Sequence, residues 1–302
     1  MKNDQQAATP LTNNTSNSSL AEDNCHTDHK LILKVSSLLR KNKESKYYKP
    51  CEDYLIAENE QRIFILMDGA TRFVKDAGVY PDPSPSSQAA RIICDVSYSV
   101  LKSLAFSEAN YQMAFSQTAI EANAALKKYN DSLFPIIDYL ENDYSSAGGV
   151  ISAIRNGYFL YSYIADPQIY LIRDHQITLL RQPQTCAVED FIKELHRRGI
   201  TDPAVVQKTV CKAVRNTQSS PYRFGVFTGE ESALPFLQFG SVKLENGDKI
   251  LLTSDGLAPV WEHDRDVLLA EELEFILDAA DRIDKQRNLR SDDKAAILIE
   301  VI

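Results

Sequence analysis

The spacing of apolar and polar residues changes character along the chain. Residues 62–69, "RIFILMDG", form a short apolar run that ends in Asp-Gly, which predicts a buried strand. Between residues 89 and 104 apolar side chains recur at spacings of three and four, which predicts an amphipathic helix that the preceding serines of "SPSS" can cap. Similar spacing, without Gly or Pro, predicts a second helix over about residues 110–129.

Strand patterns dominate after residue 146. Short runs of Val, Ile, Tyr, Phe and Leu alternate with Asn-Gly, Asp-Pro and Arg-Asp-His breaks, which predicts a meander of about four antiparallel strands. Residues 183–235 look like an inserted element, with helices predicted at 187–198 and near 203–215. Strands resume in "SVKLENGDKILLTSDG", a helix follows near residues 268–283, and "KAAILIEVI" predicts a final buried strand.

The order of these elements indicates a fold class. Runs of strands joined by hairpins, with helices segregated from them, predict an α+β fold of antiparallel sheets covered by helices. Residues 1–28 are polar and nearly free of large apolar side chains, so we expect a disordered N-terminal arm. Residues 29–302 are interpreted as one domain.

Composition narrows the possible functions. In 302 residues, 33 Lys and Arg stand against 42 Asp and Glu, and the resulting formal charge of -9 argues against nucleic-acid binding. There is no apolar signal-peptide core and no run of about 18 apolar residues that suggests a membrane span. The five cysteines are scattered and odd in number, which is typical of reduced thiols. We therefore expect a cytoplasmic protein without membrane contacts.

Acidic residues stand at the ends or breaks of the predicted strands. They are Glu52, Asp53, Asp68, Asp166, Asp255, Asp292 and Asp293. Any one of them alone is more often a turn former or a helix cap. Carboxylates that meet without basic partners repel one another, and protonation or a bound cation relieves that repulsion. Mg²⁺ and Mn²⁺ prefer such oxygen ligands, and two ions about 3.5–4 Å apart can activate water for in-line phosphoryl displacement.

Gly69 and Gly256 directly follow two of these aspartates. A residue without Cβ lets a backbone carbonyl approach an ion closely. Asp-Gly is equally a common turn dipeptide. The pattern alone leaves both interpretations open.

Six segments, taken in order, carry a family resemblance. They are "CED", "FILMDG", "GGVISAI", "YFLYSYIADPQIYLIRDHQI", "GDKILLTSDGL" and "SDDKAAILIEV". From about residue 45 to residue 302 the chain resembles the metal-dependent type 2C serine/threonine protein phosphatases (PPM), in particular their bacterial members. The resemblance implies a four-layer αββα sandwich of two antiparallel sheets flanked by helices, with a metal site at one sheet edge.

The resemblance also implies roles for particular residues. Asp68 would bridge two ions, and the carbonyl of Gly69 would bind the second. Asp255 and Asp292 would complete the shell of the first ion. These three aspartates are therefore the expected catalytic centre, with Mn²⁺ or Mg²⁺ as the cofactor. A water between the ions would lose a proton and attack phosphorus in line.

Further residues join the site by the same resemblance. Glu52 and Asp53 would reach the second ion, partly through water. Asp166 stands where the family holds a third, weaker ion. Residues 183–235 fall where the family carries a flap beside the active site, an element tied to substrate choice.

The chain departs from the family pattern at the substrate phosphate. Many members have an arginine four residues before the position of Glu52, and here that residue is Tyr48. Lys46 and Lys49 are nearby cations that supply a point charge but no bidentate fork, and Arg72 is another candidate phosphate ligand.

Two more departures concern the acidic residues themselves. The eukaryotic branch places a histidine soon after its Asp-Gly, and this chain has Ala70 there; bacterial relatives commonly lack that histidine. Asp166 lies in Ala165-Asp166-Pro167 where the family has Gly-Asp-Ser, which leaves the third ion more open than the first two.

These observations lead to one main hypothesis and two alternatives. The main hypothesis is metal-dependent hydrolysis of phosphoserine and phosphothreonine on proteins, with a phosphoprotein as the partner of a monomeric enzyme. The first alternative is a pseudophosphatase, a binding or regulatory module that keeps the fold without turnover. The second is a phosphatase for small phosphorylated metabolites.

Overall fold

The structure, a computed structural model of the chain, describes residues 31–42, 50–70, 83–133 and 144–302. The predicted N-terminal arm, residues 1–28, lies outside the described residues. Within the described part no helix is long and apolar enough to cross a membrane. Its four cysteines, Cys51, Cys94, Cys186 and Cys211, are free thiols.

Within the described ranges, ten strands form two five-stranded antiparallel sheets. The strands are β1 (Leu33–Arg40), β2 (Tyr54–Glu58), β3 (Ile63–Gly69), β4 (Ala147–Arg155), β5 (Tyr158–Ile164), β6 (Gln168–Arg173), β7 (Gln176–Leu179), β8 (Gln238–Lys243), β9 (Lys249–Thr253) and β10 (Lys294–Val301). One sheet has the order β1-β10-β9-β6-β7, and the other has the order β2-β3-β4-β5-β8.

The five predicted helices are present with small shifts in their bounds, as α1 (Pro85–Ser103), α2 (Tyr111–Leu133), α3 (Cys186–Arg197), α4 (Pro203–Ala213) and α6 (Leu273–Arg287). A short helix that the sequence did not predict, α5 (Ala258–His263), precedes α6. Ser84 caps α1, because its Oγ accepts a hydrogen bond from the backbone N–H of Ser87 at 2.9 Å. The last helix begins at Leu273 rather than near residue 268, since Arg265–Leu269 forms a separate 3₁₀ helix.

Three apolar clusters define the layers of the fold. Between the sheets, Phe64 and Leu66 from β3 pack with Ile297 and Ile299 from β10. On one outer face, α1 and α2 cover β3 and β4. On the other, α6 packs against β9 and β10 through the cluster that includes Ile276. The result is the predicted order of helices, sheet, sheet and helices.

The predicted four-strand meander is wrong at its centre. β5 pairs with β4 and β8, whereas β6 pairs with β7 and β9 in the other sheet. The chain therefore changes sheets at residues 165–167. Ala165 has a positive φ of 73° that turns the backbone, and Pro167 has no N–H to donate to a strand ladder.

One strand is absent from the sequence prediction. β1 covers Leu33–Arg40 and pairs along its whole length with β10 at the edge of its sheet. Its side chains are half-buried or exposed, and none is fully buried. An edge strand of this kind lacks the continuous apolar run that identifies β3.

The packing between the sheets predicts a large difference between two isoleucine substitutions. Ile297→Ala removes a fully buried side chain from this layer, and we expect a loss of about 2–5 kcal/mol in the free energy of unfolding. Ile120 on α2 is 52% exposed, so Ile120→Ala should change it by about 0.5 kcal/mol or less. Urea denaturation followed by circular dichroism measures both, and equal losses would contradict this assignment of the core.

Candidate metal centre

The register of the second sheet brings Asp68 towards Asp166. Asp68 on β3 lies opposite Gly148 on β4, while the next residue, Gly149, lies opposite Ile164 on β5. A Cβ added at Gly148 would lie 2.3 Å from the Ala165 Cβ and 3.6 Å from the Asp166 Oδ1. The absent side chain of Gly148 therefore leaves the space between the two carboxylates open.

The first sheet contributes Asp255 and Asp292 at adjacent strand ends. Ser254 closes the end of β9 against β10, because its backbone N–H donates to the Ala295 carbonyl at 3.0 Å. Its Oγ accepts a hydrogen bond from the Ala295 N–H at 2.9 Å. A Cβ at Gly256 would lie only 1.9 Å from the Asp293 carbonyl oxygen, so glycine is required for this packing.

Asp293 fixes the segment that carries Glu52 and Asp53. Its carboxylate accepts hydrogen bonds from the backbone N–H of Asn42 at 2.7 Å and from that of Glu52 at 2.9 Å. The Glu52 carboxylate in turn accepts a hydrogen bond from the Ser84 hydroxyl at 2.5 Å. Ser84 thus connects the start of α1 to the segment that carries Glu52 and Asp53. Asp293 positions this segment, a role that the sequence did not reveal.

Burial and mutual repulsion disfavour the charged forms of these aspartates. Burial, followed by the negative charge of Asp255, raises the pKa of Asp53 well above its usual value, although a hydrogen bond with the Ser254 side chain opposes the shift. Burial and the charges of Asp53, Asp255 and Asp166 raise the pKa of Asp68 well above its usual value. The Asp68 and Asp255 carboxyl groups are close enough to share a hydrogen bond.

Asp166 is affected in the same way. Burial, followed by the charge of Asp255, raises the pKa of Asp166 to about 7, while a hydrogen bond with the Thr185 side chain lowers it. Asp166 follows β5 of one sheet, and Asp255 follows β9 of the other. The repulsion therefore acts between carboxylates from both sheets.

The donor chemistry of this acidic cluster fits a hard divalent cation. All of its side-chain donors are oxygens, and the Asp53 Oδ2 is buried without a hydrogen-bond partner among the described residues. In the described ranges, however, no three His, Cys, Asp or Glu side chains converge closely enough to form a ready set of metal ligands. The cluster has the chemistry of a cation site in which water completes much of the coordination.

Most of the predicted site residues lie in the described part of the chain. The acidic ones lie at strand ends in the same region: Glu52, Asp53, Asp68, Asp166, Asp255 and Asp292. Gly69 ends β3, where an added Cβ would lie 2.5 Å from the Ser86 carbonyl oxygen, so close packing already requires glycine there. The roles of these residues in binding metal stay predictions. Lys46, Lys49 and Arg72 lie outside the described residues.

Arg290 is a cation that the sequence analysis did not single out. It lines a cavity of about 180 Å³ together with Asp255, Gly256 and Asp292. Its side chain is exposed. The available sequence signal was its position two residues before Asp292, which places it at the same strand end as the acidic cluster.

Two stacked antiparallel sheets with helices outside them match the fold of bacterial PPM serine/threonine phosphatases. One structure with this fold is the catalytic domain of the serine/threonine phosphatase PstP in complex with 2 manganese ions. The match has a TM-score of 0.59 at 17% identity and covers 90% of this chain and 99% of that one.

Other solved structures agree with this fold. PppA, described as a key regulatory component of T6SS in Pseudomonas aeruginosa, matches with a TM-score of 0.59 at 17% identity over 89% of this chain and 98% of that one. Stp1 from Staphylococcus aureus matches with a TM-score of 0.57 at 15% identity over 90% and 95%. No protein-family model and no curated protein sequence matches the chain. At these identities the likeness is one of fold.

Because the pKa of Asp166 is raised, we expect Asp166→Asn to increase the free energy of unfolding of protein freed of metal with EDTA, by an amount that depends on pH. Between about pH 4 and pH 7 the folded protein holds a proton on Asp166 that the unfolded chain has released, so this residue costs more stability as the pH rises. The substitution should therefore stabilise the protein by about 1–3 kcal/mol more at pH 7.5 than at pH 4.5. Denaturant titrations at both pH values measure this difference, and Asp190→Asn at an exposed site on α3 is the control. A gain that is largest at low pH would contradict the assignment.

Proposed function

We propose that this protein is a Mn²⁺- or Mg²⁺-dependent phosphatase that hydrolyses phosphoserine and phosphothreonine on proteins. The observation that carries the proposal is that Asp53, Asp68, Asp166 and Asp255, from both sheets, lie close enough for the charge of Asp255 to raise the pKa of the other three. The buried, unpartnered Asp53 Oδ2 supports a cation at this place. The shared fold with bacterial serine/threonine phosphatases supports the reaction class.

We carry the ligand assignment over from the resemblance to the type 2C phosphatases. Asp68, Asp255 and Asp292 would hold one divalent ion. Asp68 with Asp53 and Glu52, partly through water, would hold the other, and Asp166 would serve a weaker third. The chemistry that such ions supply when bound is activation of water and stabilisation of charge at phosphorus.

The surrounding residues prepare the carboxylates for this task. Ser254 hydrogen-bonds to Asp53, whose Oδ2 is buried without a hydrogen-bond partner among the described residues, and Ser84 donates to Glu52, so both side chains are held in place. Raised pKa values at Asp53 and Asp68 mean that cation binding must displace protons, so affinity for metal should increase with pH.

Arg290 is the described cation that we propose as a ligand of the substrate phosphate. The position of the family's arginine is Tyr48 here. Arg290 lines the same cavity as Asp255 and Asp292, so its guanidinium can approach a phosphate bound beside them. A guanidinium presents paired N–H donors that match phosphate oxygens, which an isolated ammonium does not.

Two observations favour the pseudophosphatase as the second candidate. Within the described residues the carboxylates do not converge as a ready set of metal ligands, and the position of the family's phosphate-binding arginine is Tyr48. Such a protein would bind phosphorylated partners without turnover. Hydrolysis of an aryl phosphate with and without Mn²⁺ separates the two candidates, because only the enzyme gives metal-dependent release of phosphate.

Asp255→Asn tests the proposed centre directly. Replacing this carboxylate by an amide removes a charged ligand with little change in shape, and we expect Mn²⁺-stimulated aryl phosphate hydrolysis to fall roughly 100-fold or more. Asp190→Asn on the exposed face of α3 should retain full activity. Circular dichroism checks that both variants fold. Undiminished turnover in Asp255→Asn, or in wild-type protein with excess EDTA, would refute the proposed function.

Arg290→Ala tests the phosphate ligand. Loss of a charged hydrogen bond of about 1.5–3 kcal/mol should lower kcat/KM by about 10- to 100-fold, mainly through KM, and Arg290→Lys should recover only part of it. Arg282→Ala, at an exposed arginine on α6, is the matched control. Steady-state kinetics with an aryl phosphate give both constants, and equal values in the two alanine variants would exclude this role.

A further inference from the structure

Ala165 has an unusual backbone conformation immediately before Asp166. Its φ of 73° lies in the left-handed region, which residues with a Cβ rarely adopt. The residue stands where the chain leaves β5 in one sheet to enter β6 in the other. Such a conformation persists only where surrounding contacts hold it.

Gln184 supplies those contacts through both backbone groups of Ala165. The Gln184 N–H donates to the Ala165 carbonyl at 2.8 Å, and the Ala165 N–H donates to the Gln184 Oε1 at 3.3 Å. The side-chain amide has further partners in the segment that follows α4. Its Oε1 accepts from the Gly225 N–H at 3.1 Å, and its Nε2 donates to the Phe236 carbonyl at 2.7 Å.

Thr185, the next residue, contacts Asp166 itself. Its side chain forms a hydrogen bond with the Asp166 carboxylate. Thr185 occupies the N-cap position of α3, yet its hydroxyl makes no capping hydrogen bond with that helix. A hydroxyl normally engaged at a helix start is therefore directed to the acidic cluster instead.

We propose that Gln184 is a positioning residue, which holds Ala165 in its left-handed conformation so that Asp166, steadied by Thr185, faces Asp255 and binds cation. The insert that begins at residue 183 would then set the occupancy of the cation position that Asp166 serves. This inference rests on the proposed function in one respect, namely that the cation bound by the acidic cluster is the one used in hydrolysis.

A purely structural role for Gln184 is the competing explanation. In that case its amide would only anchor Gly225 and Phe236, and its loss would loosen the insert without affecting the turn before Asp166. Ala165→Gly distinguishes the two, because glycine adopts a positive φ without a Cβ penalty. The Ala165→Gly substitution removes the need for contacts that hold the turn, but it does not restore the hydrogen bonds of Gln184 to Gly225 and Phe236.

The experiment measures Mn²⁺ binding to the full chain by calorimetry, with the electron paramagnetic resonance signal of free Mn²⁺ as a second readout. We expect Gln184→Ala to weaken the weakest Mn²⁺ binding step by about 10-fold or more, as loss of an outer-shell partner does. Gln182→Ala, at an exposed neighbouring glutamine, should leave it within about twofold. Asp166→Asn should weaken this binding step as much as Gln184→Ala does. Combining Asp166→Asn with Gln184→Ala should weaken it no further.

The double variant Gln184→Ala with Ala165→Gly decides the interpretation. Recovery of the affinity of the weakest Mn²⁺ binding step to within about threefold of wild type supports the positioning role, because glycine adopts without help the positive φ that Gln184 enforces on Ala165. A double variant no better than Gln184→Ala, or a Gln184→Ala that binds like Gln182→Ala, overturns it. Circular dichroism of each variant confirms folding.

The failures of this inference and of the proposed function are distinguishable. If wild-type protein binds Mn²⁺ but hydrolyses no phosphate, the proposed function fails and the binding comparison still decides the role of Gln184. If wild type hydrolyses aryl phosphate and Gln184→Ala binds Mn²⁺ unchanged, only the positioning role falls. If wild type binds no Mn²⁺, both are refuted.

Discussion

Repulsion between closely placed carboxylates is the constraint under which the rest of this fold is built. The charge of Asp255 disfavours the charged forms of both Asp53 and Asp68, and their mutual repulsion tends to separate these side chains. The opposing force comes from the apolar layer between the sheets and from the strand ladders. Because the strands end in register, the carboxylates at those ends are held close despite their charge.

Hydrogen bonds to the backbone also hold the segments that carry the acidic residues. Asp293 accepts from both Asn42 and Glu52, so one buried carboxylate joins the end of β1 to the acidic segment before β2. Lys294, also buried, donates to Asp284 and to the Asp292 carbonyl, which compensates negative charge behind the cluster. These contacts direct the remaining carboxylates towards one another. The site is therefore maintained by neighbours that do not themselves need to contact a substrate.

The sequence predicts the parts of this protein that depend on local pattern. β3 and α1 follow from an apolar run and a helical period, and the strand ends at Asp68 and Asp255 follow from the Asp-Gly pairs. The change of sheets after β5 was not predicted, because an Asp-Pro break has the same appearance in a hairpin as in a crossing. The spacer role of Gly148 and the contacts of Gln184 depend on residues distant in sequence. No local pattern encodes them.

The crossing of the chain between the sheets at residues 165–167 has a mechanical consequence. Asp68 belongs to one sheet, Asp255 follows a strand of the other, and Asp166 lies on the segment that joins the two. Cations held by these three side chains would therefore connect the two sheets. The sheets could then slide past each other only after the metal had been released. Bound metal would therefore slow unfolding and protect the chain against proteases, in addition to serving catalysis.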